Sequence, residues 1–209
     1  MKKLVSLLFT AAFIVFGLAR CSVVDVDATS AWTPEFQRSL DLTERAPAIR
    51  AGTGKVVAVL GDSRAEGGHG FGSLPDTVYN FGAGGTTSRA IVHQLPGVLD
   101  VHPDVVFIFG GVNDFGFIDL PGFRANLQQV AAQLSGQGAR VYVLPQLVAP
   151  KAGNPYLAAG QYAEALQGIP STVYLPVAGL SATDFRDNVH LNSAGYAKVE
   201  LAMLSVLKE

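Results

Sequence analysis

Two stretches of this chain constrain its fold more than any others. Lys55-Val56-Val57-Ala58-Val59-Leu60 and Val105-Val106-Phe107-Ile108-Phe109 are apolar at nearly every position and rich in β-branched residues. A strand with one wet face alternates; a strand covered on both faces reads like these two, as in a parallel sheet between layers of helices. Shorter runs of the same kind occur at Val78-Tyr79-Asn80-Phe81 and Arg140-Val141-Tyr142-Val143-Leu144, with a weaker one at Thr172-Val173-Tyr174-Leu175. Helical patterns fill the intervals. One is expected over 88–99, where Pro96 would bend or end it. A clearer one covers 123–134, with Leu127, Val130, Ala131 and Leu134 on one face and Gly136 and Gly138 beyond its end. Others cover 156–166 and 194–207, the last with Tyr196, Val199, Met203 and Leu207 near one side. Strands alternating with helices predict an α/β fold, a three-layer α/β/α sandwich with a mainly parallel sheet.

Such sheets bind ligands beyond the carboxyl ends of their strands, where Gly61, Gly82 and Gly110 fall. Three segments near such positions carry reactive side chains. Ser63 follows the first strand by two residues; a serine hydroxyl needs a base within hydrogen-bond reach to become a nucleophile. Gly61 permits a sharp exit from the strand, and Asp62 is placed to hydrogen-bond the loop backbone. Asn113 lies just past the third apolar strand. Late in the chain, Asp187-Asn188-Val189-His190 supplies a base with a carboxylate three residues before it; on a tight turn that carboxylate reaches the imidazole. Asp184 competes with Asp187 by proximity. Ser63 also reads as an ordinary turn serine and Asn113 as a turn-capping asparagine. Asp114 reads as a residue that shapes its loop. The nucleophile elbow G-x-S-x-G is absent, because Gly61-Asp62-Ser63-Arg64-Ala65 lacks the second glycine. No phosphate-binding glycine pattern occurs, and four scattered histidines with one cysteine form no metal-spaced cluster, so neither cofactor nor metal is expected.

Four blocks together resemble the GDSL, or SGNH, hydrolase family. They are Leu60-Gly61-Asp62-Ser63 with Gly67; Gly85 within Asn80-Phe81-Gly82-Ala83-Gly84-Gly85; Gly111-Val112-Asn113-Asp114; and Asp187-Asn188-Val189-His190-Leu191-Asn192. The resemblance runs from about residue 55 to the C-terminus, in the family's order. It implies a flavodoxin-like sheet and a serine ester hydrolase that works through an acyl-serine intermediate. It assigns the catalytic roles to Ser63, Asp187 and His190, and the oxyanion hole to the backbone N–H groups of Ser63 and Gly85 and the side-chain amide of Asn113. The same centre would cleave a thioester or pass the acyl group to another alcohol.

Arg64 departs from the family pattern. It is expected either to form a surface salt bridge or to attract an anionic group of the substrate. His69, in the glycine-rich loop that follows, is an exposed loop residue or a substrate contact. Phe71, Phe115 and Phe117 fall in loops at the active edge, where they would stack on a sugar, line an acyl pocket or belong to the core.

Residues 1–20 stand apart. Lys2 and Lys3 precede an unbroken apolar stretch, Leu4 to Ala19, of the length of an export signal's core and short for a membrane span. Leu18-Ala19-Arg20-Cys21 resembles a bacterial lipobox, with Arg20 where a small residue is usual. Lipidation of Cys21, ordinary cleavage and an uncleaved anchor all remain open, and each puts the body outside the cytoplasm: envelope, periplasm or exterior, with an N-terminal lipid or membrane anchor in two of the three cases. Residues 21–54 form a linker with a short helix near Trp32, and 55–209 the hydrolase domain. Removing residues 1–20 takes three of the 15 basic side chains and none of the 17 acidic ones, leaving a net charge of −5. Nucleic-acid binding needs clustered Lys and Arg, so no such partner is expected. The expected substrate is a small-molecule, lipid or carbohydrate ester. The runner-up activity is O-deacetylation of envelope or exported polysaccharide, and the alternative of another class is a non-catalytic envelope binding protein.

Overall fold

The computed structural model describes residues 54–68, 71–74, 77–145 and 147–208. The export segment, Cys21, the Trp32 region and His69 lie outside the described residues. Among the described residues no helix is long and apolar enough to cross a membrane.

Five strands form one sheet: β1 (Val56–Gly61), β2 (Thr77–Gly82), β3 (Val105–Ile108), β4 (Arg140–Val143) and β5 (Val173–Tyr174). Their order is β2-β1-β3-β4-β5 and every pairing is parallel, as in flavodoxin-like sheets. The α-helices are α1 (Ser63–Glu66), α2 (Ser88–Asp100), α3 (Leu120–Gly136), α4 (Gly160–Leu166) and α5 (Ser193–Leu207). The expected three-layer sandwich is therefore present.

The uniformly apolar strands now have their reason. Alternate residues of β1 enter different cores. Ala58 and Leu60 pack with Ile91 of α2 and Leu127 of α3, whereas Val57 and Val59 pack with Val199 and Met203 of α5. Neither face of the strand meets water, so neither tolerates a polar residue. β5 is weak because it is a two-residue edge strand with Val173 half exposed.

Helices α2, α3 and α1 differ from expectation. Pro96 does not end α2, which continues to Asp100. Leu95 and Val98, on either side of the proline, are both buried against the sheet, and that burial offsets the lost backbone bond. α3 starts three residues early because Asp119 caps it, accepting from the Gly122 N–H, and Pro121 suits a first turn. The one-turn α1, read as loop from sequence, is capped by the Asp62 side chain, which accepts from the Arg64 N–H.

Candidate active site

In this strand order the sheet changes direction of winding between β1 and β3, and the crevice lies outside their carboxyl ends. Ser63 follows β1 directly and Asn113 follows β3. Gly61 makes the exit from β1 feasible: its φ is +137°, and a Cβ there would stand 2.2 Å from the carbonyl oxygen of Phe109. The chain turns at once into α1, so Ser63 is its first residue, half-buried, with its backbone N–H outside the intrahelical ladder.

The candidate base arrives from the far end of the chain. Phe185 and Leu191 form an antiparallel bridge, and the Arg186 N–H donates to the His190 carbonyl, so 185–191 is a tight loop before α5. Within it Asp187 Oδ1 accepts from the backbone N–H groups of Val189 and His190, both at 2.8 Å. Its Oδ2 lies 2.7 Å from His190 Nδ1. Burial works to raise the Asp187 pKa, but the two backbone donors and the imidazole outweigh it and hold the carboxyl below its ordinary 3.8. An ionised Asp187 fixes the proton on Nδ1 and leaves Nε2 as acceptor. Nε2 is 3.0 Å from Ser63 Oγ. Residues 127 positions apart thus form a continuous serine–histidine–aspartate relay. Asp184 is no rival: it accepts from Ser181 and pairs with Lys198 at 2.7 Å.

The donor side is built from the loops after β2 and β3. Gly85 takes φ +76° in the turn that follows β2. Asn113 is almost fully buried, and one of its Nδ2 hydrogens goes to the Thr86 carbonyl at 3.0 Å, which ties the two loops together. An amide nitrogen carries two hydrogens, so the second remains for a ligand. Beneath Asn113, the buried Asp114 accepts from the Ser88 N–H and, at 2.5 Å, from the Ser88 hydroxyl. Burial raises its pKa despite those bonds. Ser88 is fully buried and also accepts from Asn126, so this serine–aspartate pair holds the Asn113 loop to the start of α2.

With a serine–histidine–aspartate relay at the switch point of a 2-1-3-4-5 sheet, the decisive comparison is with known families. The model of the GDSL-like lipase/acylhydrolase family matches residues 52–198. The chain belongs to that family. Hydrolases of this family are serine-dependent enzymes that act on ester-type small molecules, and this one is a serine-dependent ester hydrolase. Its fold is similar to a GDSL-like lipase from Bacteroides thetaiotaomicron, at TM-score 0.65 and 19% identity over 83% of this chain and 97% of the other. A putative acylhydrolase from Bacteroides fragilis superposes at TM-score 0.67 and 19% identity, over 86% and 98%. The acetylxylan esterase Axe2 from Geobacillus stearothermophilus gives TM-score 0.59 and 18% identity, over 75% and 95%. No curated protein sequence matches this hydrolase.

One sequence expectation is corrected, and the loop phenylalanines divide among the alternatives left open for them. Arg64 is neither at the surface nor open to substrate. It is fully buried, and its guanidinium grips both carboxylate oxygens of the equally buried Asp62. The short side chain of Asp62 caps α1 and pairs Arg64 at once, which draws the charge inward. Phe71 is a core residue, stacked 6.0 Å from Phe109 and edge-on to Tyr196. Phe115 is half-buried and meets Tyr162 edge-on. Phe117 alone of the three is largely exposed, at 61%. His93 is half-buried on α2, and His102 is exposed before β3.

Two contributors escaped the sequence reading. Asn154 is buried and donates to the carbonyls of Ala149 and Asn188, bracing the base loop. Tyr196 donates its hydroxyl to the Arg64 carbonyl. Asn154 precedes Pro155 and caps the 3-10 turn over Pro155–Ala159, a signal that sequence does offer; the Tyr196 contact offers none.

Proposed function

We propose that the hydrolase cleaves carboxylic esters at Ser63 in two steps, with Asp187 and His190 as its partners. The observation that carries this is the 3.0 Å contact between Ser63 Oγ and His190 Nε2, continued by 2.7 Å to Asp187. Ser63 Oγ attacks the ester carbonyl while Nε2 takes its proton. The oxyanion that forms meets the N–H groups of Ser63 and Gly85 and the second Nδ2 hydrogen of Asn113; one such donor is worth about 3 kcal/mol of barrier. His190 returns the proton to the leaving alcohol, then activates a water that releases the acid and restores Ser63. The same relay would serve a thioester, or an alcohol acceptor in place of water.

Small acyl groups or bulky alcohol partners are favoured, since a sequence with few insertions implies a shallow, open pocket. A second reading is a carbohydrate O-deacetylase. It is supported by Phe117, whose exposed ring follows the Asn113 loop and offers a flat apolar face to a sugar, and by the fold shared with an acetylxylan esterase. The Leu4–Ala19 stretch supports export, with the body in the envelope, periplasm or exterior and Cys21 as the point of any lipid anchor. The intact mass of the protein made in bacteria distinguishes lipidation, ordinary cleavage and retention.

Fluorophosphonate labelling tests the chemistry. Wild type is expected to label and to hydrolyse short nitrophenyl esters, and Ser63→Ala to do neither. Folded wild type that takes no label would favour a non-catalytic binding protein. Faster acetate release from acetylated glycan than from nitrophenyl acetate would favour the deacetylase.

A further inference from the structure

One acidic side chain at the crevice has no part in the scheme above. Glu66 ends α1, one helical turn after Ser63, and is exposed. Its Oε2 is 3.0 Å from the point where a Cβ on Gly84 would stand, and the same point is 3.9 Å from the Cβ of Ser63. Gly84 is exposed and immediately precedes Gly85. A carboxylate and the nucleophile therefore flank one patch of bare backbone beside the oxyanion donors. Because Gly84 has no side chain, the Glu66 carboxylate lies close against its backbone, and a substrate group bound beside Ser63 on that side meets the carboxylate.

Two other carboxylates near the nucleophile are committed. Asp62 holds Arg64 and Asp187 holds His190. Among the described residues no ion pair or hydrogen bond engages the Glu66 carboxylate. Arg186 is an exposed basic side chain on the base loop.

We infer that Glu66 determines specificity by charge: its carboxylate favours esters whose group over Gly84 is cationic or donates hydrogen bonds, and disfavours esters carrying a carboxylate or phosphate there. This rests on the ester-hydrolase reading of Ser63. An exposed carboxylate a few ångströms from a bound charge acts through a high effective dielectric, so the discrimination is several-fold and is weakened by salt.

The experiment compares kcat/KM for matched esters in wild type, Glu66→Gln and Glu66→Lys. Acetylcholine against its neutral analogue 3,3-dimethylbutyl acetate probes the alcohol side. Nitrophenyl butyrate against the mono-nitrophenyl ester of succinate probes the acyl side. Glu66→Gln is expected to lower the cationic-to-neutral ratio, or raise the anionic-to-neutral ratio, by about 3- to 10-fold, with Glu66→Lys going further and 0.5 M salt shrinking the change. The side that responds is the side that lies over Gly84. Ratios unchanged in both pairs, or all four esters falling by one common factor, would overturn the inference while fluorophosphonate labelling upholds the enzyme. Wild type that neither labels nor hydrolyses any of the four would overturn both.

Discussion

The Tyr196 hydroxyl donates to the carbonyl of Arg64 at 3.0 Å, across 132 positions of sequence. Tyr196 stands in the first turn of α5, just after the base loop, and Arg64 follows the nucleophile. The bond therefore locks the carrier of His190 onto the carrier of Ser63. Burial, reinforced by the nearby Asp62 charge, pushes the Tyr196 pKa up to about 12, so the phenol stays a donor throughout any working range. Tyr196→Phe is expected to cost about 1 kcal/mol of stability. It should also lower kcat more than it raises KM, because the 3.0 Å relay contact loosens; urea denaturation and ester kinetics on the same preparation check both.

Arg64 and Asp62 are a fully buried pair. Removing one partner strands the other charge, so Arg64→Ala is expected to destabilise by about 3–5 kcal/mol. Asp62→Asn combined with Arg64→Leu leaves no stranded charge and should be less damaging than Arg64→Ala. Chemical denaturation of the three proteins measures it, and a double variant worse than the single would show that the pair stabilises outright.

Asn113→Ala removes both the proposed oxyanion donor and the bond to the Thr86 carbonyl. A loss of about 10²- to 10³-fold in kcat with a modest change in KM is expected. Fluorophosphonate labelling should slow by a comparable factor; labelling at the wild-type rate would remove Asn113 from the hole.

Asp187 is held below 3.8 in the folded state, with burial opposing and the Val189, His190 and imidazole bonds prevailing. A lowered folded pKa contributes stability that is present above the unfolded value and lost as pH falls through the folded one. Asp187→Asn should therefore flatten part of the acid limb of a stability–pH curve below about pH 4. Near neutrality it should also cut kcat by about 10⁴-fold, since Nδ1 loses the carboxylate that sets its tautomer.

Asp114 runs the other way. Burial raises its folded pKa above 3.8, so between the unfolded and folded values the folded state holds a proton that the unfolded chain has released. Stability from this group is present below the unfolded value and declines as pH rises through the folded one. Asp114→Asn should remove that decline, seen as a flatter melting-temperature profile above pH 4, at the cost of a weaker hold on Ser88.

Much of this protein can be read along the chain, and the reason is locality. An unbroken apolar run such as Val56–Leu60 has one economical use, a strand between two helical layers, and two such runs with three shorter ones and helices between them leave little freedom of architecture. The Asp187–His190 pair is equally local, because a three-residue turn delivers the carboxylate to the ring without help from elsewhere. Charge and aromatic placement are not local. Arg64 reads as a surface or substrate-facing residue until its burial with Asp62 takes it out of water, and Phe71 reads equally as a sugar platform, pocket wall or core residue until Phe109 and Tyr196 enclose it. The same holds for Glu66, which no sequence pattern places beside Gly84 and Ser63. Whether a side chain faces solvent, core or crevice depends on which distant segments close over it, and only the assembled sheet and helices decide that.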